Sequence, residues 1–306
     1  MTQVSIIIPT YKRAEMLTRA IDSVLGQTFN DLEIIVVDDN NPNTDYRKNT
    51  EKLMRKYLND SRVIYIKHKK NKNGAAARNT GISVSSGEYI GFLDDDDYFL
   101  PKKIEKQVQY LEIYNEYNGV YCGRFEKGKK IIGILSGDLS EHILSLSFTP
   151  TTPALMFRSH VLKEMGGFNE EFRRHQDFEL LLRYFRKNKL GVVPDPLVVI
   201  GQNDGENELH GVTLEKNKEV FFYQFFNDIN RIDEKVKGFK KNVYTVHYVP
   251  VFWDHISQKK FNSSFKIYFK GIKADPINFN ITILKYIYKY FTYLTTRKRG
   301  DNGSFR

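Results

Sequence analysis

The chain has little cysteine and no long apolar run. Cys122 is the only cysteine among 306 residues, which excludes an internal disulfide framework and fits a reducing compartment. The sequence has no uninterrupted apolar run of about eighteen residues, so we expect no transmembrane helix. The first apolar run, Val4 to Ile8, ends at Pro9 and is too short for a secretory signal. We therefore predict a globular, cytoplasmic protein.

Two common nucleotide-binding motifs are also missing. No Gly-x-Gly-x-x-Gly follows the first apolar run, and no Gly-x-x-x-x-Gly-Lys-Ser/Thr occurs in the chain. These absences disfavour a dinucleotide oxidoreductase and a P-loop NTPase. Acidic residues become scarce after Lys235, and the formal net charge is +10. A basic excess suits nucleic acid, an anionic membrane surface or an anionic substrate, and charge alone does not choose among them.

Short apolar runs alternate with helical patterns over the first hundred residues. The runs are rich in β-branched residues and predict buried strands over Val4–Ile8, Ile34–Val37, Val63–Ile66 and Tyr89–Leu93. Strand–helix alternation is typical of βαβ units, so we predict an α/β fold with a mostly parallel sheet flanked by helices. The later part of the sequence predicts a hairpin over 120–135, strands over 154–157 and 197–200, and a helix through Phe178 and Phe185. We place a catalytic domain at 1–215 and a helical, basic and aromatic region at 216–306.

Four consecutive aspartates, Asp94 to Asp97, follow the fourth predicted strand. Neighbouring carboxylates repel one another, and Mg²⁺ or Mn²⁺ would relieve that repulsion. In open α/β sheets ligands bind at the carboxyl ends of the strands, so this cluster indicates metal-assisted phosphate chemistry. The alternative is a solvated acidic turn before a helix that begins near Pro101.

Two further loops should open on the same edge of the sheet. The loop after the first strand carries the Tyr11 ring and the cations Lys12 and Arg13, and Asp38-Asp39 follows the second strand. An aromatic ring, an acceptor carboxylate and a metal site in one crevice suit a nucleotide. The small residues of Gly74-Ala75-Ala76-Ala77 would let Arg78 reach the base or diphosphate. The alternative is a tightly packed helix start with a surface arginine.

Four motifs together resemble the inverting family 2 glycosyltransferases, which have a GT-A fold. They are Val-Ser-Ile-Ile-Ile-Pro-Thr-Tyr at 4–11, Val-Val-Asp-Asp at 36–39, Gly-Ala-Ala-Ala-Arg-Asn at 74–79 and Phe-Leu-Asp-Asp-Asp-Asp at 92–97. A weaker match runs from Gly166-Gly167-Phe168 to His175-Gln176-Asp177-Phe178-Glu179. The resemblance covers roughly residues 1–210, and the tail is similar to the variable extensions of such enzymes only loosely.

The resemblance implies a role for each matching position. Donor-binding residues would be Pro9, Thr10, Tyr11, Arg13, Asp39, Arg78, Asp94 and Asp95. Within this set Pro9, Thr10 and Tyr11 would line a uracil pocket, and Asp39 would accept from the uracil ring nitrogen. Asp96 would bind Mn²⁺ or Mg²⁺, with Asp94 or Asp95 near the ribose. Asp94 and His210, which lies in a polar stretch over 203–213, are further metal-ligand candidates.

Asp177 matches the family's catalytic base, which must lie within hydrogen-bond reach of the attacking hydroxyl. Without the resemblance it would be an ordinary acidic residue at a helix start. Glu179, two residues further on, faces elsewhere on a helix, so we expect it to be structural. For His210 the alternative to metal binding is a surface histidine in a loop.

The resemblance implies an inverting transfer of a sugar from a UDP-sugar to a hydroxyl of a glycan or lipid-linked acceptor, as in bacterial surface polysaccharide synthesis. A Mg²⁺-dependent nucleotidyltransferase and a non-catalytic nucleotide-sugar or glycan-binding protein are the alternatives. The acidic crevice argues against nucleic acid. A tail stripe of Leu284, Ile287, Tyr288, Phe291 and Leu294, bordered by lysines, fits a helix on the inner face of an anionic membrane. It equally fits packing on the catalytic domain or a second subunit, so oligomeric state stays open.

Overall fold

A computed structural model describes residues 2–172, 174–201 and 210–297 of the chain. The described residues form two compact units, one within 1–140 and 149–206 and the other within 141–148 and 207–306. The predicted domain boundary after residue 215 stays a prediction. Most of the predicted loop over 203–213 lies outside the described residues, as do residues 298–306 at the end of the tail.

The first unit contains a mixed sheet in which nine strands of the described chain take part. The strands are β1 (Val4–Thr10), β2 (Leu32–Asp38), β3 (Val63–Lys67), β4 (Tyr89–Phe92), β5 (Tyr98–Phe99), β6 (Gly119–Glu126), β7 (Lys129–Ile131), β8 (Leu155–Arg158) and β9 (Leu190–Val199). Their order is β3-β2-β1-β4-β8-β6-β9-β5, with β7 added beside β6. The first four strands lie together and are parallel, as predicted.

Antiparallel pairing begins where β4 meets β8, and β8 in turn pairs antiparallel with β6. β9 then runs parallel to β6. The predicted hairpin is confirmed in its first arm, but the second arm ends at Ile131 rather than Leu135. The last strand is longer than predicted and begins at Leu190, because it accommodates Pro194 and Pro196 at a point where its register with β6 shifts.

Helices cover the sheet of the first unit. They are α1 (Ala14–Leu25), α2 (Asp45–Met54), α3 (Gly74–Val84), α4 (Lys103–Ile113), α6 (Ser159–Glu164) and α7 (Gln176–Tyr184). All but the first residue of the short helix α5 (Ser140–Leu144) belong to the second unit. α3 packs closely on β1, since a Cβ added at Gly81 would lie 2.4 Å from Ile7. The buried, β-branched positions of β1 and β2 supply much of the hydrophobic core, which drives their assembly.

The second unit is helical, as the sequence predicted. Besides α5, its helices are α8 (Gly211–Gln224), α9 (Phe226–Asp233), α10 (Phe239–Ser257), α11 (Phe261–Ala274) and α12 (Pro276–Arg297). α10 packs against α11 and α12, with Phe279 of α12 completely buried. In the described part of the chain, no helix combines the length and apolar character needed to cross a membrane.

Candidate active site

The ends of β1 and β4 are joined by the carboxylate of Asp95. Its Oδ2 accepts from Thr10 Oγ1 at 2.8 Å and from the Tyr11 amide at 3.3 Å. Arg13 Nη1 lies 3.3 Å from Asp95 Oδ1 and 2.6 Å from Asp96 Oδ2. Parallel pairing of β1 with β4 places both strand ends on one edge, so the two predicted loops do meet.

The side chains of this loop differ in exposure. The ring of Tyr11 is 39% exposed, and Lys12 Nζ lies 5.0 Å from its centroid. Pro9 is half-buried and belongs to β1, where it pairs with Val37 of β2. Tyr11 therefore offers an aromatic face for a planar base, whereas Pro9 contributes to the strand beneath it.

Asp39 organises the loop that precedes α3. Its Oδ1 is 2.7 Å from His68 Nδ1 and accepts from the Lys72 amide at 2.9 Å. Its Oδ2 accepts from Asn71 Nδ2 at 2.8 Å and from the Asn73 amide at 2.9 Å. A carboxylate has about four acceptor positions, so a uracil nitrogen would have to replace one of these partners. Uracil recognition by Asp39 stays a prediction.

Arg78 connects the acidic cluster with the helix that carries the predicted base. Its Nη2 forms a short ion pair with Asp94, and its Nη1 donates to Gln176 Oε1 at 2.8 Å. The guanidinium also lies 5.5 Å from the centroid of the Phe168 ring. The Cβ of a larger residue at Gly74 would lie 3.2 Å from Nη1, so the small helix start leaves room for the guanidinium. Arg78 is itself buried, which contradicts the alternative of a surface arginine.

Asp177 is the second residue of α7 and directly follows Gln176. Its Oδ1 accepts from the Phe178 amide at 3.0 Å. Desolvation of the carboxyl raises the pKa of Asp177 to about 6, although the backbone N–H of Phe178 and the charge of Arg78 act against the rise. Glu179 is completely buried and pairs with Arg183 at 2.7 Å, so it has the structural role expected from the sequence.

Burial also dominates the electrostatics of the acidic cluster. It raises the pKa of Asp95 to about 7, and the pKa of Asp96 also rises. Burial and the charge of Asp94 raise the pKa of Asp97 further, although its Oδ1 accepts from the Gly201 amide at 2.7 Å. The cluster is therefore short of positive charge even with Arg13 beside it.

The donor set of this cluster fits Mg²⁺ or Mn²⁺, which prefer carboxylate oxygens. Among the described residues, no three His, Cys, Asp or Glu side chains converge in a way that would enclose a metal ion. Mg²⁺ is commonly held by one or two carboxylates together with phosphate oxygens and water, so such a group is not required. Asp94, whose side chain is 35% exposed, is more accessible than Asp96 at 7%.

His210 lies in the second unit, where its Nδ1 is 2.7 Å from Asp254 Oδ1. The adjacent residues 202–209 are outside the described part of the chain. Metal binding by His210 therefore stays a prediction.

The model of the family "Glycosyl transferase family 2" matches residues 5–152. This part of the chain contains the loops after β1 and β2, the start of α3 and the acidic cluster. This chain belongs to glycosyltransferase family 2. Both predictions, of the family and of an enzyme, are confirmed. The family match favours the transferase prediction over the nucleotidyltransferase and non-catalytic alternatives.

Two of the relatives of this chain are bacterial proteins. An uncharacterised glycosyltransferase of Rickettsia felis is 35% identical over 210 residues, which is 67% of this chain and 34% of that protein. The chain thus spans about a third of the length of that relative. The UDP-Glc:alpha-D-GlcNAc-diphosphoundecaprenol beta-1,3-glucosyltransferase WfaP of Escherichia coli is 37% identical over 139 residues, covering 44% of this chain and 52% of WfaP.

A solved structure supports the fold of the glycosyltransferase. TarS 1–349 of S. aureus, in complex with UDP-GlcNAc, superposes with a TM-score of 0.69 at 19% identity. The match covers 96% of this chain and 87% of that one. The predicted GT-A fold is confirmed.

Some residues of the site had no signal in the sequence. His68 and Asn71 hold Asp39 from 29 and 32 positions away, and Arg19 donates to the Asp96 carbonyl oxygen. Gly201 approaches the same carbonyl so closely that an added Cβ would lie 2.3 Å from it. None of these belongs to the quoted motifs, because their roles depend on contacts between distant segments.

Proposed function

We propose that this glycosyltransferase transfers a sugar from a UDP-sugar to a hydroxyl of a lipid-linked or other glycan, with inversion. The observation that carries the proposal is Arg78, whose guanidinium contacts both Asp94 and Gln176. It thereby links the carboxylates proposed to face the donor diphosphate to the start of the helix that bears Asp177. The name of WfaP supports a UDP-sugar donor and a lipid-linked acceptor.

The proposed reaction is a single displacement at the anomeric carbon. Asp177 accepts the proton of the acceptor hydroxyl while the hydroxyl oxygen bonds to the anomeric carbon and the bond to the UDP oxygen breaks. The raised pKa of Asp177, about 6, suits a base that works near neutral pH. One displacement inverts the anomeric centre and needs no nucleophile from the protein.

The residues proposed to bind the donor have separate roles. Tyr11 would stack on the base, Thr10 and Arg13 would fix the acidic cluster through Asp95, and Asp39 would fix the loop beside the nucleotide. Asp94 and Asp96 would hold Mn²⁺ or Mg²⁺, which when bound supplies positive charge opposite the departing diphosphate.

A donor panel tests the proposal. The purified full chain is incubated with a lipid-diphosphate-linked sugar and a series of nucleotide sugars, with Mn²⁺, Mg²⁺ or EDTA, and released nucleoside diphosphate is measured. We expect UDP release from one donor, lost in EDTA, and a product of inverted anomeric configuration by NMR. Metal-dependent GDP release without UDP release, or retention of configuration, would contradict the proposal.

A further inference from the structure

One face of α11 carries three exposed phenylalanines. Phe261, Phe265 and Phe269 are 57%, 62% and 62% exposed. At about 100° per residue they lie within about 80° of one another on the helix. The opposite face of α11 is the packed one, because Ile267 and Gly271 are buried and a Cβ at Gly271 would lie 2.2 Å from the ring of Phe279. The exposed rings are therefore not the packing face of this helix.

The next helix has a second apolar stripe. Ile277, Ile281 and Leu284 of α12 are 70%, 43% and 63% exposed and recur at spacings of four and three residues. Scattered single apolar residues on a surface are ordinary, whereas two ordered stripes on consecutive helices of one unit are not. We call these six residues the apolar stripes. Leu284 is the one residue that the apolar stripes share with the stripe predicted from the sequence over 284–294. The side chains of Phe291 and Leu294, which belong to that predicted stripe, lie outside the described residues.

The surroundings of the apolar stripes are strongly basic. Residues 255–297 contain one acidic residue, Asp275, against the following cationic residues: Lys259, Lys260, Lys266, Lys270, Lys273, Lys285, Lys289 and Arg297. Lys266 and Lys273 are exposed and lie beside the phenylalanine stripe on the helical projection. Lys270 forms ion pairs with Glu215 at 2.9 Å and Glu219 at 2.7 Å, so its charge is already neutralised within the second unit.

The basic surroundings help to decide whether the exposed aromatic residues bind a second copy of the chain or a lipid surface. A second copy of the chain would bring the same cations against one another, which is unfavourable. An anionic leaflet accepts both features, because phenylalanine and aliphatic side chains enter the acyl boundary while lysines stay at the phosphate level. We propose that the apolar stripes of α11 and α12 dock this unit onto an anionic lipid bilayer. The proposal does not depend on the catalytic role of the first unit.

Co-sedimentation of the full chain with vesicles tests the docking surface without any donor or turnover. Three vesicle types are compared: phosphatidylcholine, phosphatidylglycerol, and an equal mixture of the two. We expect binding to rise with the phosphatidylglycerol content and to weaken as salt is added. A Phe261→Ser/Phe265→Ser/Phe269→Ser variant should lose binding by more than about tenfold, since three interfacial rings are removed.

Two further variants make the test specific. Lys266→Gln/Lys273→Gln should weaken binding to phosphatidylglycerol about 25-fold, from about fivefold for each lysine, without affecting the fold. Tyr223→Ser, which removes an aromatic residue that is 88% exposed on α8, should bind like the unmodified chain. Equal binding by all variants, or equal binding to phosphatidylcholine and phosphatidylglycerol, would overturn the proposal. A dimer by light scattering that the triple serine variant abolishes would overturn it in favour of a second copy.

Discussion

Replacing Asp177 by asparagine should make the protein more stable while removing its activity. Burial raises the pKa of this carboxyl from 3.8 to about 6, so the folded state disfavours the ionised form. A shift of about two pKa units corresponds to about 3 kcal/mol of destabilisation at pH 7. Because the residue is only half-buried, solvent screens part of this effect, and we expect a gain of about 1–2 kcal/mol in the free energy of unfolding.

The dependence on pH has a definite sign. The folded state binds the proton more tightly than the unfolded state, so the ionisation penalty grows as pH rises from about 4 to about 6 and is complete above that range. The stability difference between Asp177→Asn and the unmodified chain should therefore be present at pH 7 and vanish near pH 4. Activity at limiting donor should fall below about pH 6, where the base becomes protonated.

Two assays on the same samples check this reasoning. Urea unfolding at pH 7 and pH 4 gives the free energies, and nucleoside diphosphate release gives the rate, which should fall by about 10²–10⁴-fold. UDP binding by calorimetry should be retained. Asp31→Asn, at an exposed position, is the matched control and should change neither quantity. An Asp177→Asn variant that is no more stable at pH 7 would refute the burial argument, and one that keeps its rate would refute the assignment of the base.

Three other substitutions test the contacts around the site. Arg78→Lys should lower kcat/KM by about 10–100-fold with little loss of stability, because an ammonium cannot hold Asp94 and Gln176 with one planar fork. Full activity in this variant would argue against a role for the contacts of Arg78 with Asp94 and Gln176. Gly201→Ala should abolish metal-dependent activity, because its Cβ would lie 2.3 Å from the Asp96 carbonyl oxygen, whereas unchanged turnover would show that the loop gives way. Lys103→Met should stabilise the protein by about 3 kcal/mol at pH 7, since burial lowers the pKa of Lys103 from 10.5 to about 8 and its Nζ finds no hydrogen-bond partner among the described residues. That gain should shrink as pH rises from about 8 to about 10, where the unfolded lysine also loses its charge, and a gain independent of pH in urea melts would contradict the cause.

The sequence by itself determined the parallel half of the sheet and the loops at its edge. Apolar runs such as Val4–Ile8 and Tyr89–Leu93 are local patterns, and parallel pairing then brings their carboxyl ends together. The motifs that end these strands were sufficient to indicate the family, since each lies within a few adjacent residues. Asp177 was found only through that resemblance, because an acidic residue at a helix start has a common structural explanation.

Only the tertiary structure decided which partners the site residues have. Arg78 and Gln176 are 98 positions apart, and the four donors to Asp39 come from a loop about 30 residues away. Nothing in the local pattern distinguishes a buried arginine from an exposed one, or a carboxylate with four protein donors from one that is open to a ligand. These properties depend on long-range packing, which sets both the hydrogen-bond partners and the desolvation that shifts each pKa.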